Sequence, residues 1–175
     1  GAILGGVLEH SGGTQALAHW LLRKLGEDRA PLAFVLAGFL VAIPVFFDVA
    51  FILLVPMLYA LGRKTGRSLL FYGIPLLAGL ATTHAFIPPT PGPIAVADIL
   101  TADLGWVIAL GLLVGPPTVL VAGLWWGRHC GNRFLVTAPA TTPAQEASVP
   151  PPIGLLLLLI LLPILLILGN TLTKM

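Results

Sequence analysis

The stretch Pro31–Leu61, "PLAFVLAGFLVAIPVFFDVAFILLVPMLYAL", decides the fold. It is apolar for longer than the roughly 20 residues that one membrane helix needs. Both of its flanks are basic: Arg23, Lys24 and Arg29 precede it, and Arg63, Lys64 and Arg67 follow. Basic flanks sit on the cytoplasmic side of a membrane. A single crossing would strand one cluster on the wrong face. The interior removes the conflict, because "IPVFFDV", Ile43–Val49, places a proline and a carboxylate in mid-run. The remaining arms are Ala33–Ile43 and Val49–Leu61. At a rise of 1.5 Å per residue each is roughly 16–20 Å long, against a hydrocarbon core of ~30 Å. The stretch therefore reads as a re-entrant hairpin over 31–62, entering and leaving from the cytoplasm, with its tip near Asp48.

Composition supports a lipid environment. Hydrophobic residues make up 57% of the chain and charged residues 9%, with a mean hydropathy of +1.00. So few charges cannot cover a water-facing surface. A net charge of +2, scattered along the chain, gives no footprint for nucleic acid. Cys130 is the only cysteine, which excludes an internal disulfide and a multi-cysteine metal site. His129 beside it reads as a polar residue at a membrane edge. No metal and no cofactor are expected. The chain starts at Gly1 inside an apolar stretch and stops at Met175 just past another, and reads as an internal fragment of a longer membrane protein.

Outward from the hairpin, "TQALAHWLLRKLGEDRA" spaces Leu17, Trp20, Leu21 and Leu25 as an amphipathic helix over 14–29, lying at the membrane surface. Before it, "EHSGG", Glu9–Gly13, is a turn whose Glu9 and His10 read as surface residues. After the hairpin, 69–104 is too long for one straight span and is interrupted by four prolines between Pro88 and Pro93. It reads as one crossing broken in the middle, resuming as a half-helix at Ile94, with Asp103 near the outer surface. Residues 106–126 return to the cytoplasm, with Trp106 and Trp125–Trp126 as interfacial anchors. Pro116 and Pro117 predict a kink there. Residues 136–152 are a Pro/Thr/Ala-rich cytoplasmic linker, and 153–175 opens another helix, interrupted at Pro163. No soluble domain and no repeat is visible.

Backbone polar groups in lipid must be paired, so irregular backbone at membrane depth marks a sheltered or wet site. Paired breaks point to the binding site of a secondary transporter. At the second break, Pro88 and Pro89 lack N–H groups and free the carbonyls of His84 and Ala85. Gly92 permits close approach of a ligand to the backbone. The half-helix N-terminus beyond suits an anion. At the first break two readings of Asp48 compete: an N-cap of the second arm, or a proton carrier, since intramembrane carboxylates are costly and so functional by default. His84 reads as a buried satisfied histidine or a functional one. Thr82 and Thr83 read as back-bonding helix residues or, beside the break, as site residues. Thr90 is similar, and Asp98 is placed along the outer path.

"GAILGGVLEHSGG", "IPVFFDVAFILLVPMLYALG" and "THAFIPPTPGPIAVA" resemble the gluconate permease family of proton symporters, within the ion transporter superfamily. "IGLLLLLILLPILLILGNTL" after the linker extends the resemblance. It implies an all-α integral membrane protein built from two inverted repeats, each with a re-entrant hairpin and a broken helix. Residues 1–135 would be most of the first repeat and 153–175 the first helix of the second. The family's aromatic–aromatic–acid element falls on Phe46, Phe47 and Asp48, its Thr-His on Thr83 and His84, and its Pro-Pro-X-Pro-Gly-Pro on Pro88–Pro93. Many members carry His at X, where this chain has Thr90. The resemblance implies substrate contacts at Phe47, Asp48, Thr83, His84, Pro89, Thr90 and Gly92, and proton coupling at Asp48 and His84.

The expected function is proton-coupled import of gluconate or a similar hydroxylated carboxylate across the bacterial inner membrane. The protein would be multi-pass, with lipid, protons and a sugar acid as partners and homo-oligomerisation open. Relatives imply other small organic acids or D-serine as alternative cargo. An intramembrane enzyme lacks a catalytic set, since Ser11 and Ser68 lie at edges and Asp48 with Asp98 has no protease context. A non-transporting interaction subunit would show small-residue stripes and no polar breaks.

Overall fold

The structure is a computed structural model that describes residues 6, 8, 10–139 and 152–174, without the side chains of Leu172 and Lys174. Glu9 and most of the linker lie outside the described residues. Among the described residues every regular element is helical. In chain order they are α1 (Gly13–Leu25), α2 (Ala30–Val41), α3 (Phe47–Thr65), α4 (Leu70–Phe86), α5 (Pro91–Ile99), α6 (Leu104–Val119), α7 (Trp126–Arg133) and α8 (Ile153–Lys174). A 3₁₀ turn, Glu27–Arg29, joins α1 to α2, and a π-helical turn, Leu120–Trp125, joins α6 to α7 without interrupting the helix. Three stretches are long and apolar enough to cross a membrane: Leu70–Ile99, Leu104–Arg133 and Ile153–Thr171.

The boundaries follow local chemistry. Helix α2 starts with a proline in its first turn, where the missing N–H costs nothing. It stops before Pro44, whose ring disfavours helix at the preceding residue. Helix α3 stops at Gly66, in the left-handed region at φ 67°, the usual helix terminator. Helix α1 ends at Leu25, earlier than the surface helix expected over 14–29, because Gly26 takes φ 78°. Its apolar face is not free for lipid: Leu17, Ala18 and Leu21 are buried in the core.

Helix α4 is the hub of the chain. The arms α2 and α3 pack on α4 far more than on each other, so the proposed hairpin is held open by a third helix. The α2–α4 crossing is backbone against backbone. A Cβ on Gly38 would lie 2.6 Å from the Leu76 carbonyl oxygen, and one on Gly79 would lie 2.3 Å from that of Val35.

The other side of α4 meets a second glycine seam. Gly111, Gly115, Gly123, Gly127 and Gly131 recur at four-residue steps, with Val119 filling the vacant place. A Cβ on Gly111 would meet the Phe86 carbonyl oxygen at 2.6 Å, and one on Gly131 the Phe71 Cα at 2.6 Å. The seam thus runs antiparallel along α4. Four residues turn an α-helix by about 40° more than one full turn, so this stripe would drift off the face. The π-helical turn takes more residues per turn and draws it back. Small residues let membrane helices approach this closely.

Helix α8 packs on α6 and α1 through Leu156, Ile160 and Ile164. Asp103 ties its far end down. One carboxylate oxygen accepts from the Gly105 and Trp106 amides as the N-cap of α6, and also from the Thr171 hydroxyl at 2.9 Å. Asp103→Ala is expected to cost about 1–2 kcal/mol in thermal unfolding, the upper range for a lost cap. Thr171→Val should cost less, because the cap survives.

Candidate functional site

The two breaks face each other. Residues 42–46 link α2 to α3, with Ala42, Ile43 and Val45 buried. Residues 87–90 link α4 to α5, and their Pro88–Pro89 peptide is cis. A cleft of about 470 Å³ lies between them, walled by Ile43–Phe46 on one side and by Thr90, Pro91, Ile94, Ala95 and Asp98 on the other. Those α5 positions are spaced three to four apart, so one helix face fronts the 42–46 link. Among the described residues, Asp98 is the only charged one lining this cleft.

The His84 ring joins the breaks. It lies 6.5 Å from both the Phe46 and Phe47 rings, centroid to centroid. Its Nδ1 is buried with no hydrogen-bond partner. Such an unmet polar atom is costly and needs a reason. Asp48 follows in the first turn of α3, exposed and without a partner among the described residues. The capping reading of Asp48 fails: Phe46 holds the N-cap position and no side chain caps this helix.

Both threonine hydroxyls bond backbone carbonyls, Thr90 those just before it in its own chain segment and Thr83 one on another helix. Thr83 is fully buried, and its hydroxyl donates to the Phe39 carbonyl at 2.8 Å. Phe39 lies in the last turn of α2, where carbonyls lose their helical partners; the Ile43 amide bonds to Leu40 instead. Thr83 therefore closes the end of the first arm from the neighbouring helix. Thr83→Val should lower stability by about 1–3 kcal/mol through the unpaired buried carbonyl. Thr83→Ser should recover most of it, as read by thermal unfolding.

Thr90 is 5% exposed, and its hydroxyl faces the carbonyls of His84 at 3.1 Å and Ile87 at 2.7 Å. The His84 carbonyl, expected to be freed for a ligand, is thus taken from within the chain. The Ala85 carbonyl keeps no amide partner, because the residue four ahead is Pro89. Helix α5 begins at Pro91 rather than at Ile94. This weakens the anion site expected at its N-terminus. Pro91 and Pro93 carry no N–H and the Ile94 amide bonds to Thr90, which leaves Gly92 as the one orphan donor of that turn.

Gly92 is exposed, with open space where a Cβ would stand. It and His84 open on a second cleft of about 590 Å³, on another face of α5 and against α6. The expected site residues therefore divide. Phe47 and His84 pack ring to ring at the start of α3, with Asp48 the next residue along, Pro89 and Thr90 line the first cleft, Gly92 and His84 line the second, and Thr83 is sealed inside. Phe46, 51% exposed in the first cleft, is a site residue that the spacing alone did not single out.

Broken helices that meet inside an apolar helical chain are the architecture of membrane transporters. The chain belongs to the GntP permease family, whose profile matches residues 1–175. It is 39% identical to a gluconate permease of Pseudomonas aeruginosa over 98% of this chain and 39% of that protein. It is 45% identical to a gluconate permease of Bacillus subtilis over 70% of this chain and 28% of that protein. It is 40% identical to the Gnt-II system L-idonate transporter of Escherichia coli over 70% of this chain and 28% of that protein. The chain thus spans about two fifths or less of the length of these relatives. They are named as permeases and transporters, not enzymes. No solved structure matches it.

Proposed function

We propose that this chain forms part of a proton-coupled secondary transporter that imports gluconate or a similar small hydroxylated carboxylate across the bacterial inner membrane. The observation that carries this is the pair of facing breaks, with the His84 ring, its Nδ1 unpartnered, set against the Phe46 and Phe47 rings, and with Asp48 next in the chain after Phe47. The basic flanks and the short first arm support a re-entrant placement of α2 and α3, although α3 runs to 19 residues, longer than the arm expected from Val49 to Leu61. This hairpin would be one element of the first of two inverted repeats. Asp48 and His84 carry the proton. The Gly92 amide and the Ala85 carbonyl meet the carboxylate and hydroxyls of the sugar acid. Thr83 and Thr90 hold the breaks in shape, and residues elsewhere in the transporter complete the site.

The L-idonate relative favours a second reading, in which another small hydroxy acid is the cargo of the same site. A non-transporting subunit is less well supported, since the glycine seams are consumed inside the chain and polar breaks interrupt its helices.

The test is uptake of labelled gluconate into proteoliposomes holding a full-length permease that carries this chain. Uptake should follow an inward proton gradient and collapse with an uncoupler. Asp48→Asn should fall to the level of empty vesicles under the gradient. Undiminished, uncoupler-sensitive uptake in that variant would remove Asp48 from coupling.

A further inference from the structure

A third cleft lies away from the breaks, where α1 and the 3₁₀ turn meet α3. Its volume is about 660 Å³, larger than the cleft between the breaks. Its floor is apolar, built from Leu22, Met57 and Leu61, with Pro56 and Ala60 at the side. Its rim is charged: Arg23 and His19 from α1, Lys64 from the end of α3, and Glu27 from the turn between. Arg23 is exposed and has no anionic partner among the described residues. Lys64 pairs with Glu27, but both side chains are more than half exposed, at 65% and 54%. Exposed pairs of this kind contribute little, so a better anion can take Lys64.

We propose that this cleft binds the headgroup of an anionic phospholipid of the cytoplasmic leaflet, with one acyl chain along the apolar floor. The chemistry is complementary at both ends. A phosphodiester meets the Arg23 guanidinium and the Lys64 ammonium, Arg being suited to bidentate phosphate recognition. A hydrocarbon chain covers Leu22, Met57 and Leu61, an apolar surface that water solvates poorly. A soluble anion would use only the rim, and a zwitterionic lipid would bring its own cation to a rim that already carries an excess of positive charge. The cleft stands among the basic flanks Lys24, Arg29 and Arg63, which the positive-inside rule sets against the anionic leaflet. A lipid here would brace α1 against α3, the arm that carries Asp48. The inference rests on the cytoplasmic placement of these flanks and not on the identity of the cargo.

The test uses a delipidated full-length permease carrying this chain in detergent, titrated with short-chain phosphatidylglycerol, phosphatidylcholine or inorganic phosphate, with bound ligand counted by native mass spectrometry. Phosphatidylglycerol should bind selectively, and R23Q and K64Q should each weaken it roughly fivefold. A60W should weaken it without changing any charge, by filling the cleft. R67Q removes a basic group outside the cleft, where Arg67 lies over the Phe71 ring, and should leave binding unchanged. Equal binding of phosphatidylcholine, an equal loss in R67Q, or full competition by inorganic phosphate would each overturn the proposal. Gluconate uptake measured on the same samples separates a failure of this site from a failure of the transport reading.

Discussion

Gly79→Ala lowers the stability of the protein by about 3 kcal/mol or more, the upper end for an overpacked core, while Gly73→Ala on the same helix raises it by about 0.5–1 kcal/mol. The two substitutions add the same methyl group to α4. At Gly73 the nearest atom is the end of the Leu58 side chain, at 3.9 Å, an ordinary contact. Only the helix-propensity gain of alanine over glycine then remains. At Gly79 the new Cβ would stand 2.3 Å from the Val35 carbonyl oxygen and 2.9 Å from the Phe39 amide nitrogen. Both are backbone atoms, which cannot rotate aside as a side chain can. Relief requires α2 and α4 to separate, and Gly38 faces Leu76 just as closely from the other side. Separation also pulls the Thr83 hydroxyl from the Phe39 carbonyl, one turn along the same contact. The stability loss therefore carries into the site, and uptake should fall with it. Thermal unfolding in detergent, run on both variants, checks the pair. Equal midpoints for Gly79→Ala and the parent would show that these helices do not meet backbone to backbone.

This contrast marks where the sequence was legible. The breaks could be read because proline and aspartate are costly inside an apolar helix and stand out against it. The element order and the three long apolar helices follow from the same pattern. Packing partners could not be read, since an all-apolar helix has no polar face to say which side meets protein. Leu70–Phe86 shows no sign in its composition of being the hub. The four-residue glycine steps from Gly111 to Gly131 do not read as a packing face, and that period makes one face only when a π-helical turn corrects it. The hydroxyl of Thr83 reads either as back-bonding within its own helix or as facing cargo, and its partner is a carbonyl 44 residues away, at the end of another helix. Tertiary partners of this kind leave no local trace. The start of α5 illustrates a different limit: Pro91 and Pro93 read as helix breakers, yet at the first turn the fixed φ of proline favours initiation.

Thr90→Val should lower stability by roughly 1–3 kcal/mol, and Thr90→Ser should restore most of it. The substitution keeps the shape of the side chain and removes one hydroxyl. In the break that hydroxyl is shared by the His84 and Ile87 carbonyls, in a position 5% exposed. An acceptor left unpaired costs about 1–3 kcal/mol. Here the His84 carbonyl loses its donor, while the Ile87 carbonyl keeps the Thr90 amide at 3.4 Å. The same experiment separates two roles for Thr90. A residue that only held a substrate hydroxyl would raise the KM for uptake in Thr90→Val and leave the unfolding midpoint unchanged. A residue that only shapes the break would lower the midpoint first, and surviving uptake would keep its KM. Thr90→His sharpens the distinction, because it installs the residue that the family resemblance implies at this position. Imidazole is larger than the threonine side chain, so it can reach a cargo in the cleft only by leaving the two carbonyls. If Thr90→His remains folded and shifts preference among sugar acids, position 90 lines the substrate path as well as closing the helix end. If it is destabilised as much as Thr90→Val with no change in preference, its hydroxyl belongs to the architecture of the break alone.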